Sequence, residues 1–195
     1  MHAYATGSRT EAYSFLAVIA VVLAIVVNAG VDATGFDYGW IVSAPSVGGF
    51  FVILLRVFDT AAWRWHWVRR VGVTSTPIVE GIYEGTLRST YQGVEMPVRL
   101  KVEQRWLRII IRFQVLDPQT SESRSAAAAV TDEGHHDARL IYTYSNQIRH
   151  GIADDDMNDH DGAADVVLTP DGHIRGRYFN ARGRQGVLEL TRVGS

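Results

Sequence analysis

Two long apolar runs free of any charged residue dominate the beginning of this chain, at 13–29 (YSFLAVIAVVLAIVVNA) and 38–55 (YGWIVSAPSVGGFFVILL). Crossing a hydrocarbon core takes about 17–25 such residues, so each run is long enough to span a bilayer. Together they predict a hairpin of two transmembrane helices. A cleaved leader is the alternative for the first run, because Asn28-Ala29-Gly30 loosely resembles a small-residue cleavage site. A second run so soon afterwards favours a retained hairpin.

Charge sets the expected orientation. The connection at 30–37 holds Asp32 and Asp37 and no basic residue, whereas Arg56, Arg64, Arg69 and Arg70 follow the second run. Cationic flanks stay cytoplasmic, which predicts both termini inside and the connection outside. The stretch WRWHWVRR at 63–70 predicts an interfacial belt, with Trp63, Trp65 and Trp67 at headgroup depth and Arg56 snorkelling. Ala20 with Ala24, and Ala44 with Gly48, have the small-xxx-small spacing that lets helices approach closely. That spacing serves packing within the hairpin and packing between copies equally well. Pro45, Gly48 and Gly49 allow a kink in the second helix. Neither run carries an ionisable residue, so a selective ion pathway is not expected.

A Ser/Thr/Pro linker at 74–77 divides a helical part, 1–73, from an all-β part, 74–195. Eight strands are predicted, at 78–91, 94–105, 107–117, 124–132, 138–149, 163–169, 173–182 and 185–192. Alternation is clearest in the second and third. There Val98, Leu100 and Val102 alternate with Arg99 and Lys101, and Ile109, Ile111 and Phe113 share one face opposite Arg108 and Arg112. Pro118, Pro170-Asp171-Gly172 and Gly183 supply turns. The fourth strand is the least regular, since Ala126 to Ala129 could instead form a helical turn. Eight short strands with short connections predict a lipocalin-like, antiparallel up-and-down barrel, with a two-sheet sandwich as the rival.

In such a meander the inward residues of the first, fifth and seventh strands run from apolar through aromatic to polar. They predict a floor of Tyr83, Tyr144 and Tyr178 beneath a polar rim of Ser89, Asn146, Asn180 and Arg182, with Tyr91 beyond it. Phenol rings can stack a base, amides can read its edge and a guanidinium can hold a phosphate. A barrel mouth also becomes polar simply because water enters it.

Eighteen of the nineteen basic residues are arginine, and the chain has no cysteine and a net charge of −2. Disulfides and thiolate metal sites are therefore excluded, and no basic excess after residue 75 invites DNA or RNA. The acidic run at 153–165 places Asp154, Asp156, Asn158 and Asp165 at calcium-loop spacing. Asp159, however, stands where such a loop needs glycine, so a solvated loop is expected. His135, His136, His150 and His160 lack ligand spacing, and no Gly-x-Ser-x-Gly elbow occurs. We expect no enzyme, metal or cofactor.

The order of parts resembles the two-transmembrane, β-strand-rich effectors of bacterial CBASS antiphage operons. The resemblance rests on the hairpin, the aromatic-basic junction, the strand GIYEGTLRS at 81–89 and the closing pair IRGRYFNARGRQGVLELTR at 174–192. It implies a barrel that receives a cyclic oligonucleotide, of two or three nucleotides, made by a partner nucleotidyltransferase. It further implies that the bound protein oligomerises and that its helices disrupt the inner membrane and kill the infected cell. A membrane-anchored barrel carrying a lipid, and a structural anchor that recruits a partner, are the competing functions.

Overall fold

The structure, a computed structural model, describes residues 1–33, 45–90, 93–116, 121–148 and 159–194. The chain divides into two compact units. One comprises Met1–Gly7 with Thr76–Ser195, the other Ser8–Ser75.

The helical unit contains α1 (Thr10–Ala33) and α2 (Pro45–Thr60), then a 3-10 turn (Ala62–Arg64) and the short α3 (His66–Arg70). Within α1, Thr10–Val31 is long and apolar enough to cross a membrane. The described part of the second run starts at Pro45 and continues as helix past Leu55 to Thr60. Residues 38–44, with Ala44 and the start of the expected span, lie outside the described residues, as do residues 34–37 of the connection. α1 and α2 pack together. The buried residues of α1 are Ala12, Leu16, Ala20 and Ala24, a stripe with a period of four, while Val18, Val22, Ile25 and Val26 are exposed. α2 likewise exposes Val52, Ile53 and Val57. Small residues inside and large aliphatics outside invert the order of a water-soluble helix pair and suit lipid. Gly48 does not share in this contact, since it is exposed with open space about its Cα. The aromatic belt also needs correction. Trp65 and Trp67 are about half exposed, with ring centroids 6.0 Å apart, but Trp63 is fully buried with Arg64 stacked 5.1 Å from its ring.

The second unit is a closed barrel of eight antiparallel strands: β2 (Gly81–Ser89), β3 (Glu95–Gln104), β4 (Arg108–Val115), β5 (Ser121–Gly134), β6 (Asp137–Ile148), β7 (His160–Leu168), β8 (His173–Asn180) and β9 (Gln185–Gly194). Each pairs with the next, and β9 returns to β2 through Tyr83↔Arg192 and Ser89↔Gly186. Ala127 to Ala129 are strand, not helix, following a bulge after Ser125. Period-two alternation buries one face of every strand. Tyr83, Leu100, Ile111, Val130, Leu140, Val166, Ile174 and Leu188 together fill the middle of the barrel. Outside, β2, β3 and β4 carry a ladder of exposed ion pairs, Glu84–Arg99, Glu95–Arg88 and Glu103 with both Lys101 and Arg112. The turns use the expected chemistry: Gly172 and Gly183 take positive φ, as do Gly134, His135 and His136 between β5 and β6.

One strand was not anticipated. Among the described residues, β4 and β5 pair at three positions, Arg112↔Arg124, Phe113↔Ser123 and Gln114↔Glu122, and then diverge. Into that fork runs β1 (His2–Ala3), antiparallel to β4 through His2↔Ile109 and Ala3↔Arg108. On its other side Ala5 donates to Ala128 O at 3.0 Å and accepts from Val130 N at 2.9 Å. Backbone groups that the fork would leave unpaired are thus satisfied by the chain's own first residues.

Candidate functional site in the barrel

The two ends of the barrel differ. At the end where β2 begins, Trp106, Gln104, Tyr4 and Tyr83 are buried. Gln104 accepts from Val79 N at 2.8 Å and donates to Tyr4 Oη at 3.1 Å and Pro77 O at 3.0 Å. Tyr4 Oη in turn donates to Arg105 O. Tyr83 donates to Val79 O at 3.0 Å and accepts from Arg192 at 2.6 Å, whose guanidinium also lies 5.2 Å from its ring. Burial raises the Tyr83 phenol above its ordinary range, against the opposing pull of Arg192. This end is sealed by side chains whose polar atoms bond one another.

The other end is the mouth. Its inward residues are Ser89 on β2, Met96 on β3, Phe113 on β4, Ser123 on β5, Tyr144 and Asn146 on β6, and Tyr178 on β8. Met96, Phe113, Tyr144 and Tyr178 pack on the core while remaining partly exposed. Two glycines place the tyrosines. Gly186 lies between Ser89 and Tyr178 in register, and a Cβ there would come within 2.5 Å of Tyr178 Cε1. Without that carbon, Tyr178 reaches across β9 and donates to Ser89 Oγ at 3.0 Å. Gly162 does the same for Tyr144, whose Cζ and Oη would stand 2.4 Å from its Cβ. The Tyr144 hydroxyl is directed across β7 to Phe179 O at 3.4 Å. Beside them Ser123 donates to Asn146 Oδ1 at 2.7 Å.

The electrostatics follow from burial. Desolvation, then the neighbouring Tyr178, pushes the Tyr144 phenol well above its usual range, and burial then Tyr144 do the same for Tyr142. These phenols stay neutral at physiological pH. Asn146 is itself buried, its Oδ1 accepting from Ser123 and its amide NH2 carrying the side chain's two donors. The mouth therefore combines partly exposed rings with neutral hydrogen-bonding groups.

Of the seven residues expected to form a site, Ser89, Tyr144, Asn146 and Tyr178 meet at the mouth. Asn180 and Arg182 stand at its edge, in the β8–β9 turn, where Asn180 Oδ1 accepts from the amides of Arg182 and Arg184 at 3.1 and 3.0 Å. The Asn180 carbonyl is thus committed to shaping the turn. Tyr83 does not join them. In register it faces Arg192, near the end of β9, while Tyr178 faces Gly186, near its start, so the two phenols belong to opposite ends. Tyr91 and the segment 153–158 lie outside the described residues. Sequence reasoning missed Met96, Phe113 and Ser123. It also missed Gly162 and Gly186, whose signal was glycine at two inward positions of otherwise regular strands.

The family model for Cap15, cyclic dinucleotide receptor domain, matches residues 74–192. This chain belongs to the Cap15 family. The Cap15 match takes in the eight barrel strands as far as Arg192 and the four mouth residues, and bears out the resemblance to CBASS effectors. It does not extend to β1 or to α1 and α2. No curated protein matches the chain.

Proposed function

We propose that the barrel receives a cyclic dinucleotide at its mouth, and that binding drives association of bound copies and perturbation of the inner membrane by α1 and α2. The observation that carries the reading is the Cap15 receptor-domain match over a barrel with one sealed end and one end floored by accessible aromatic rings. Tyr144 and Tyr178 offer faces on which a base stacks, and Asn146 offers donors to a base edge. Arg182 and Arg184 on the rim supply the fixed cationic donors that phosphate requires. The ligand comes from a partner nucleotidyltransferase. No covalent chemistry is needed.

Topology supports the membrane half. Met1–Gly7 and Thr76–Ser195 are parts of one folded unit, so both connections to the helical unit lie on one side of a bilayer. If α1 crosses, the chain must cross back before Thr76, which gives the second apolar run its role. The arginines at 56, 64, 69 and 70 favour the cytoplasm for that side. For the ligand to trigger the change it must favour the clustered form over the dispersed one by its own contacts.

A lipid-carrying barrel needs a continuous apolar cavity, and aliphatic side chains from every strand occupy that space. The test is dye release from liposomes of inner-membrane composition containing the full chain. A cyclic dinucleotide should release dye in a dose-dependent manner, and linear dinucleotides should not. Equal release without ligand would refute ligand gating.

A further inference from the structure

The fork between β4 and β5 is a strand-acceptor groove, and its occupant is the segment Met1–Gly7. We propose that this segment is a releasable clasp, and that its release from the groove couples the mouth to α1. The proposal rests on the reading of the mouth as the ligand site.

Three observations carry it. First, among the described residues this seam is the shortest in the barrel. β4 and β5 share three register pairs, where the other neighbouring strands share seven or more. One of the three, Arg112↔Arg124, sets like charges opposite each other, which weakens it further. Second, the clasp and the mouth share β5. Ser123, facing Phe113 in register, holds Asn146 at the mouth. Two residues on, Ser125 Oγ accepts from Ile111 N at 2.9 Å and meets His2 Nε2 at 2.7 Å, in the crotch of the fork. A ligand that displaces Ser123 or Phe113 therefore acts on the same strand pair that grips the clasp. Third, only residues 6–9 separate the last clasped residue, Ala5, from Thr10, the first of α1. A chain of that length reaches about 17 Å at most. A seated clasp thus tethers the start of α1 to the barrel, and a released one removes that tether.

The clasp is anchored strongly enough to hold and lightly enough to leave. Tyr4 is buried and bonded at the sealed end, but its flanking ladder spans only His2 and Ala3 on one side and Ala5 on the other. Release exchanges those few bonds for water and uncovers Tyr4, a cost within the range of sub-global opening.

The absence of cysteine permits a clean test. Ala3 and Arg108 are register partners and both exposed, so Ala3→Cys with Arg108→Cys locks the clasp without touching the core. In liposomes, the oxidised full chain should bind the cyclic dinucleotide within threefold of wild type yet release dye at least tenfold more slowly, with recovery on adding reductant. Unchanged release from the oxidised form would overturn the clasp. Hydrogen exchange on the ligand-free full chain provides a readout independent of the mouth. The amides of Ala5 and Val130 should exchange at least a hundredfold faster than those of Leu100 and Leu188, and equal protection would also overturn the clasp. Loss of nucleotide binding in both the reduced pair and the wild type would instead count against the mouth, and the exchange experiment would then decide the clasp alone.

Discussion

The two ends of the barrel use the same residue types for opposite purposes. Each has tyrosine and a side-chain amide. At the sealed end, Tyr83, Tyr4 and Gln104 are buried, and their polar atoms bond one another or nearby backbone. At the mouth, Tyr144 and Tyr178 stay partly exposed because Gly162 and Gly186 let their rings cross a neighbouring strand. The difference lies less in composition than in what stands beside each side chain. A tyrosine between large neighbours becomes core, whereas a tyrosine laid over glycine becomes a surface that can meet a ligand.

That contrast can be broken most forcefully at the sealed end. Trp106→Ala should destabilise the barrel by about 3–5 kcal/mol through the cavity it leaves. Gln104→Ala should cost about 3 kcal/mol by stranding Val79 N–H and Pro77 O and by taking one of the partners of Tyr4 Oη. Chemical denaturation of the full chain measures both, and a cost below about 1 kcal/mol would mean that this end is not a packed plug. Gly162→Ala comes next. Its new carbon meets Tyr144 and the backbone oxygen of Phe179 at 2.4–2.5 Å, so we expect a loss of about 2 kcal/mol and a displaced ring, visible as a shifted Tyr144 resonance. At the mouth itself the balance should reverse. Asn146→Ala should weaken nucleotide binding about tenfold, by titration calorimetry, for less than about 1.4 kcal/mol of folding stability.

The smallest expected effect lies on the outer wall and depends on pH. Arg139 grips Asp165 with bonds of 2.8 and 2.7 Å, and the Arg139 hydrogen bond holds the Asp165 carboxyl below its ordinary range. A carboxyl whose folded pKa is lowered stabilises the fold above its unfolded pKa, and that contribution fades as pH falls through the folded value. Asp165→Asn should therefore lower Tm slightly at pH 7, and the gap should close below about pH 4. Because the pair is partly exposed, the effect should stay under about 1 kcal/mol. A gap that widens with acid would reverse the assignment.

Much of the fold was legible because alternation is a strong signal wherever one strand face is buried. All eight strands fall close to their expected limits, and the Pro170-Asp171-Gly172 and Gly183 turns stand where expected. The clasp was not legible, since His2 to Ala5 is too short for any period to show. Trp63 was placed with its neighbours by proximity in sequence, although the 3-10 turn sends it inward. Order along the strand puts Tyr83 in the floor beneath the rim, while its bonds to Val79 O and Arg192 tie it to the sealed end. The order of parts along a chain gives the face of each residue readily; height within a barrel comes only from strand pairing.

The most direct measurement is a calorimetric titration of the detergent-solubilised full chain with cyclic dinucleotides, comparing wild type, Tyr144→Ala and Tyr83→Phe. Our account expects saturable binding to wild type, an affinity at least tenfold weaker for Tyr144→Ala, and wild-type affinity for Tyr83→Phe. Undiminished binding by Tyr144→Ala together with loss in Tyr83→Phe would place the ligand at the wrong end and contradict it.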